Sequence, residues 1–463
     1  MPFQVLLCLL VAQLGSCHVS WLFPEARWPD FDYTNNRDNI LPCGSSQSKN
    51  VSEFQTFVVN KPYRLNWRMQ FVHHGGLQIN LLSADGQLIK RIAPEYGSVS
   101  EFFDTEMAQQ EEIDVTFDQL CKHCILQLTK QATELGAKFL YFTCADIEIV
   151  SETDTASHAQ QCHSNGKWSK NKCECDPKHS GEYCSEVLDC NVDTDCGDGG
   201  VCQKRPNSEV RKVCYCAYGR FGRNCELEST IDSTDECFNF NLPNKQKLDQ
   251  FDAYGMFKRK CYKQKQLNEN DFVYSRVIAD KDIEIILDFK TLSYVAIGWR
   301  PVNINNNCRS FPVTGIDLSG FSKEAYDSKF HPMHCTDIVW ASVVNESKLL
   351  IQDGYSRDKS TPLADENFPE GKNNLLAAFG LETKGRTIVM FRRAISTNDP
   401  ADHPLGPGQI HGIYAKGQND NETKFIIKEA LELPRNRNRT FVHRDEFSYH
   451  GGDYRAFAMF RFV

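Results

Sequence analysis

A chain of 463 residues is too long for a single core and predicts two to four domains. Its formal net charge of −9 disfavours nucleic acid, or an anionic membrane surface, as the main partner. The only sizeable apolar run, Val5 to Leu14, is too short to span a bilayer, and the tail Ala456 to Val463 carries Arg461, so no membrane anchor is expected.

The run Val5 to Leu14 ends in Gly15-Ser16-Cys17, the small-residue pattern that signal peptidase cuts. Residues 1–17 are therefore expected to be a signal peptide, with His18 first in the mature chain; cuts after Gly15 or Ser16 compete with this one. Leu14-Gly15-Ser16-Cys17 also loosely fits a bacterial lipoprotein box, which would leave Cys17 first. A terminal histidine offers its α-amine and its ring Nδ1 to one ion. A second imidazole from Val72-His73-His74-Gly75-Gly76 would complete the tetragonal nitrogen field that suits Cu(II).

Of twenty cysteines, Cys8 and Cys17 fall in the leader, and the even remainder predicts disulfides in an oxidising compartment. Sequons beginning at Asn50, Asn345, Asn421 and Asn438 fit a secreted, extracellular glycoprotein. Cysteine density divides the mature chain into residues 18–150, 151–230 and 231–463. The outer parts hold four cysteines each (Cys43, Cys121, Cys124, Cys144; Cys237, Cys261, Cys308, Cys335), and ten crowd between Cys162 and Cys225. The outer parts show short alternating or apolar runs bounded by Gly, Asn and Asp, such as Leu77 to Leu82 and Ile388 to Phe391. The expected fold class is mainly β, with two β-sandwich domains, the first immunoglobulin/fibronectin-like. Met107 to Leu120 and Phe425 to Leu433 carry the pattern of short helices.

In the middle part, Cys190, Cys196, Cys202, Cys214, Cys216 and Cys225 close with Cys-Tyr-Cys-Ala-Tyr-Gly-Arg-Phe-Gly-Arg-Asn-Cys. Residues 190–225 resemble an EGF-like module, which implies the pairs Cys190–Cys202, Cys196–Cys214 and Cys216–Cys225. Cys162, Cys173, Cys175 and Cys184 resemble the back half of another such repeat. A unit this small depends on disulfides and is expected to act as a spacer, with receptor binding as the other role. The acidic pattern of calcium-binding EGF modules is absent before Cys190.

The N-terminal part begins His18-Val-Ser-Trp-Leu-Phe-Pro-Glu-Ala-Arg-Trp and continues with Asn39-Ile-Leu-Pro-Cys43-Gly44. It then carries His74-Gly75-Gly76-Leu77-Gln78-Ile79, Cys121-Lys-His-Cys124-Ile-Leu-Gln-Leu and Tyr141-Phe-Thr-Cys144-Ala-Asp-Ile-Glu-Ile149. In this order the segments resemble an animal-type lytic polysaccharide monooxygenase. The resemblance implies copper held by His18 and His74, with Tyr141 at the axial position. His73 competes with His74, because adjacent strand residues face opposite sides. His123 within Cys121-x-x-Cys124 raises zinc as an alternative, although the cysteines are better explained as disulfide members. The domain is shorter than typical members, which makes copper binding more secure than oxygenase activity.

The C-terminal part carries Tyr294-Val-Ala-Ile-Gly-Trp-Arg-Pro301, Met333-His-Cys-Thr-Asp337-Ile-Val-Trp340 and Leu350-Ile-Gln-Asp353-Gly-Tyr355. Gly385-Arg-Thr-Ile-Val-Met-Phe-Arg392, Asp399-Pro-Ala-Asp402 and Ile410-His411-Gly-Ile-Tyr414-Ala-Lys-Gly417 follow. The series resembles a DOMON domain, the sandwich of the cytochrome part of cellobiose dehydrogenase. In haem-carrying members a Met and a His are axial ligands, and the matching positions are Met333 and His411. This implies type b haem suited to electron transfer. His334 and His403 are rival imidazoles, and Cys308 is expected to pair with Cys335.

Together these resemblances imply a secreted copper and haem redox protein, its haem domain passing electrons from an external donor to copper. A polysaccharide such as chitin, or an extracellular-matrix surface, is the expected partner. Two alternatives are copper binding, reduction and transfer without oxygenase activity, and non-enzymatic adhesion or signalling through the EGF-like part.

Overall fold

The computed structural model describes residues 19–27, 43, 54–69, 75–94, 110–131, 133, 140–151, 162, 165–169, 172–180, 184, 186–204, 212–230, 235–243, 248–304, 330–356, 362–368, 370–417, 450 and 454–463. Among these residues the chain is mainly β, with no α-helix, and no helix is long and apolar enough to cross a membrane.

The N-terminal sandwich contains β1 (Val19–Phe23), β2 (Gln55–Val58), β3 (Pro62–Met69), β4 (Leu77–Leu82), β5 (Leu88–Ala93), β6 (Gln110–Thr116), β7 (Cys121–Gln131) and β8 (Leu140–Val150). Strands β1–β3–β6 form one sheet and β2–β8–β7–β4–β5 the other. Alternate side chains meet between them, including Trp21, Phe23, Tyr63, Leu65, Trp67, Ile79, Leu126 and Ile147. Burying each of these large side chains contributes about 1.5–3 kcal/mol. The Trp21 indole meets Trp67 edge-on at 5.9 Å and donates its N–H to the Leu126 carbonyl at 3.1 Å, joining the two sheets. Arg27 and Asp146 form a buried ion pair at 2.7 Å.

The helix expected over Met107 to Leu120 is instead strand β6. Ile113, Val115 and Phe117 turn inward while Glu112, Asp114 and Thr116 face solvent, a period of two rather than 3.6. Pairing with β3 (Ile113↔Leu65, Val115↔Tyr63) overrides the local helix propensity. Phe425 to Leu433 lie outside the described residues. Cys43 bonds Cys144, and Cys121 bonds Cys124. His123, at φ 55°, sits where the β7–β8 register shifts. With both sulfurs in a disulfide, the zinc alternative loses its thiolates.

The middle part is built from four two-stranded ribbons: β9 (Gly166–Ser169) with β10 (Lys172–Cys175), β11 (His179–Ser180) with β12 (Glu186–Val187), β13 (Val201–Lys204) with β14 (Lys212–Tyr215), and β15 (Arg220–Phe221) with β16 (Leu227–Glu228). Its disulfides are Cys162–Cys173, Cys175–Cys184, Cys190–Cys202, Cys196–Cys214 and Cys216–Cys225. This region is more than a spacer. Cys216 and Leu349 exchange two backbone hydrogen bonds, at 2.7 and 2.9 Å. Phe221 enters the C-terminal core, and Tyr218 packs edge-on against Phe379 at 4.8 Å. A unit too small for its own core thus completes one against its neighbour.

The C-terminal sandwich contains β17 (Lys263–Gln266), β18 (Phe272–Ile278), β19 (Asp282–Phe289), β20 (Val295–Pro301), β21 (Thr336–Val344), β22 (Lys348–Ser356), β23 (Leu363–Ala364), β24 (Leu375–Thr383), β25 (Arg386–Ala394), β26 (Ile410–Lys416) and β27 (Arg455–Phe460). Strands β17–β18–β19–β25–β24 form a five-stranded sheet, and β23–β22–β21–β20–β26–β27 a six-stranded one. The five-stranded sheet is buried on both faces. Ile285, Val389 and Phe391 face the inter-sheet core, while Ile286, Ile388 and Met390 pack under Phe238, Phe257 and Tyr262. Double burial explains why Ile388 to Phe391 reads as an unbroken apolar run. Sequon residue Asn345 is exposed at the β21–β22 turn; Asn50, Asn421 and Asn438 lie outside the described residues.

Two measurements check this architecture. In native-state hydrogen exchange, the Cys216 and Leu349 amides are expected to open together, and a hundredfold faster rate at Cys216 would show an independently opening module. Arg27→Met leaves Asp146 buried without its partner and should cost about 3–5 kcal/mol in urea unfolding; a loss below 1 kcal/mol would mean that water or another group compensates.

Candidate functional site

Of the expected copper residues, His18 and His74 (with its rival His73) lie outside the described residues. Tyr141 is buried in the N-terminal core with Val19 and Leu77. Leu77, Lys130 and Tyr141 stand on one rung across β4, β7 and β8. The buried Lys130 ammonium holds the Gly75 carbonyl at 2.6 Å, and the Gln131 side chain accepts the Gly76 N–H at 2.8 Å. Gly75 has φ +105°, and a Cβ there would come within 2.6 Å of the Gln131 Cβ, so this clamp requires glycine. Along β1, the contacts of Trp21 with Leu126 and of Phe23 with Phe57 point the strand's start at Val19 toward the Tyr141 end.

Met333 and His411 come from different segments, and Arg300 links them. Period-two alternation on β20 sends Trp299 into the core and Arg300 to the opposite face, where it stands directly across from His411 on β26. The Arg300 Nη1 donates to the His331 carbonyl at 2.9 Å and to the His334 carbonyl. Its guanidinium also lies over the Phe330 ring at 5.2 Å. Met333 is therefore carried on a loop anchored on both sides of it. Cys335, fully buried, is disulfide-bonded at the loop's end; its expected partner Cys308 lies outside the described residues.

The half-buried His411 ring stacks on Phe457 at 5.8 Å and 13°. Its Nδ1 is buried and makes no hydrogen bond among the described residues. Burial, reinforced by the Arg300 charge, pushes its pKa below the usual histidine value, which keeps the ring neutral as a ligand requires.

Among the rival imidazoles, the His334 Nδ1 accepts the His331 backbone N–H at 3.2 Å. Its ring proton must then sit on Nε2, the nitrogen a metal would need. The His403 Nε2 donates to the Cys335 carbonyl at 2.9 Å, and its ring packs 5.8 Å from Tyr355. Burial pushes its pKa down to about 4. His403 thus faces the sandwich end near Tyr355 rather than the face that carries His411.

Three residues of this face were not identified from sequence. Arg300 becomes visible only once the β20–β26 register is known. Phe457, 64% exposed, presents an apolar ring beside His411. Met459 stands directly across from His411 on β27. Cross-strand neighbours project the same way, so His411 and Met459 share one face of the sheet, while Met333 stands on a loop.

Neither a family model nor a curated protein matches this chain, so the chemistry of these residues carries the assignment.

Proposed function

We propose that this chain is a secreted redox protein whose C-terminal, DOMON-like sandwich carries type b haem between Met333 and His411. The observation that supports this is the buried ring nitrogen of a neutral His411, which makes no hydrogen bond among the described residues, on the face where Arg300 anchors the Met333 loop. Buried polar atoms are normally paired, so an orphan beside an exposed aromatic ring indicates a group the protein is built to receive. The donor set fits haem: the Met333 thioether and the His411 imidazole would hold it, and the bound group would supply one-electron transfer at a raised potential.

The chain's own residues do the positioning. Arg300 fixes the loop that presents the thioether. Desolvation keeps His411 uncharged. Phe457 and Met459 offer apolar surface that sheds water against a flat ligand.

For the N-terminal part we propose copper held by His18 and His74 with Tyr141 beside it, the metal taking electrons from the haem domain. The clamp on Gly75-Gly76 and the converging starts of β1, β4 and β8 support that site. A polysaccharide substrate and an external reductant complete the reading. The disulfide-bonded cysteines support an extracellular location. Seating of the EGF-like part on the sandwich supports a scaffold role for it over a free adhesion module.

An optical spectrum of purified protein, with haem added if needed, tests the central claim. The expected result is a low-spin Soret band that shifts on addition of ascorbate. His411→Ala and Met333→Ala should each abolish the low-spin signature, whereas His403→Ala and His334→Ala should keep it. Arg300→Gln should weaken haem retention about tenfold, the scale for losing charge-assisted hydrogen bonds. No Soret band after reconstitution, or low-spin haem that survives His411→Ala, refutes the assignment. For copper, the mature N-terminus should begin at His18, and His18→Ala should remove tight copper binding while haem loading persists.

A further inference from the structure

The end of the C-terminal sandwich near His403 holds a second cluster that the haem reading does not use. Asp337 on β21 and Asp353 on β22 point into the inter-sheet space, where Asp402 joins them from the loop before β26. One oxygen from each lies within 4.8 Å of the others. Their nearest cation is Arg393 of β25, which is fully buried. It bonds Asp337 at 3.0 Å and reaches Asp402 at 3.1 Å and Asp353 at 3.9 Å. Trp299 lies over the guanidinium at 5.0 Å.

A separate observation comes from Asp365, in the short 3₁₀ turn after β23. It is 0% exposed, and neither carboxylate oxygen makes a hydrogen bond among the described residues. Its strongest electrostatic neighbour is Asp353, followed by Asp337, Asp402 and Asp399. Asp337, Asp353 and Asp402 each leave Oδ1 without a hydrogen-bond partner among the described residues as well. The remaining oxygens are committed: Asp337 Oδ2 accepts the His403 backbone N–H at 2.9 Å, and Asp353 Oδ2 accepts that of Asn374 at 2.9 Å.

Three carboxylates around one guanidinium, with the Asp365 carboxyl buried among them, cannot all stay ionised in a dry interior. Either protons or a cation must balance them. Without a cation, burial pushes Asp337 and Asp365 well above the usual carboxylate range and Asp353 up to about 7. Besides Arg393 Nη2, which lies 3.1 Å from Asp402, the orphaned atoms of these residues are carboxylate oxygens drawn from separate segments. That donor set suits a hard cation with a flexible, oxygen-rich shell. Zinc and copper would call for nitrogen or sulfur, and magnesium keeps several of its waters.

We propose that Asp337, Asp353, Asp365 and Asp402 bind one calcium ion at this end of the sandwich. The site is independent of the haem assignment. It would, however, tie β21, just past the Met333 loop, to the loop carrying His403.

Calcium titration of the full mature chain at pH 7.4, after removal of metal with a chelator, tests the site. The wild-type protein should melt at higher temperature in millimolar calcium than in chelator, and terbium in place of calcium should luminesce by transfer from Trp299. Asp365→Asn removes one charge and no hydrogen bond, so it should not lower the melting temperature in chelator. It should cut calcium affinity at least about tenfold, the scale by which ligand charge tunes such sites. Asp402→Asn should cut it similarly. The Soret band should be unchanged in both variants, which separates this site from the haem face. A melting temperature indifferent to calcium, or calcium stabilisation undiminished in both variants, overturns the proposal and leaves a cluster balanced by protons.

Discussion

Strand β20 sets the chemistry on both sides of the C-terminal sandwich through the alternation of two neighbouring side chains. Trp299 points inward, lies over the Arg393 guanidinium and gives its indole N–H to the His403 carbonyl at 3.0 Å. Arg300 points outward, opposite His411, and grips the loop that carries Met333. Gly298 lets β21 close against this strand, since a Cβ there would come within 2.7 Å of Ile338. A one-residue slip would place the charged guanidinium in the core and the indole on the face that carries His411. Register on this strand is therefore held by burial on one side and by hydrogen bonding on the other.

The disulfide-rich middle part depends on the same sandwich. Five disulfides hold it, and Val213, Tyr215, Tyr218 and Phe221 pack against the larger domain. The bridge between Cys216 and Leu349 comes immediately after β14, so the module continues a strand direction into its neighbour. Disulfides limit the unfolded ensemble, while the shared core fixes the module's place on β22 and β24. A tether of Gly and Ser would raise local concentration without setting orientation. Here orientation toward the C-terminal sandwich is built in.

How much was legible in the sequence depends on the range of the interactions involved. Short apolar alternations such as those of β19 and β25 specify strands locally, so the β-sandwich class could be read directly. The three pairs among Cys190 to Cys225 are those implied by the resemblance of that short segment to a known module, and the bonded pairs agree with them. Gln110 to Thr116 misled because its acidic residues suit a helix, and only the pairing with β3 shows that Ile113 and Val115 share a face. Arg300 and Met459 were invisible for a related reason: each matters through a cross-strand neighbour more than forty residues away in sequence. Asp365 carries no local pattern at all, and the absence of a hydrogen-bond partner at its carboxylate among the described residues exists only in the folded chain.

The acidic end and the His411 face are joined by few residues. Met333 to Asp337 runs from the loop anchored by Arg300 into the carboxylate cluster, and the carbonyl of Cys335, midway, accepts from His403. His403 in turn follows Asp402 and gives its backbone N–H to Asp337. Charge balance at the cluster therefore acts on the same short segment that carries Met333. A divalent ion would hold Asp337 and Asp402 together, whereas proton uptake would leave them joined through Arg393. Because packed interiors transmit small displacements rather than absorbing them, the acidic cluster and the Met333 loop share a mechanical element.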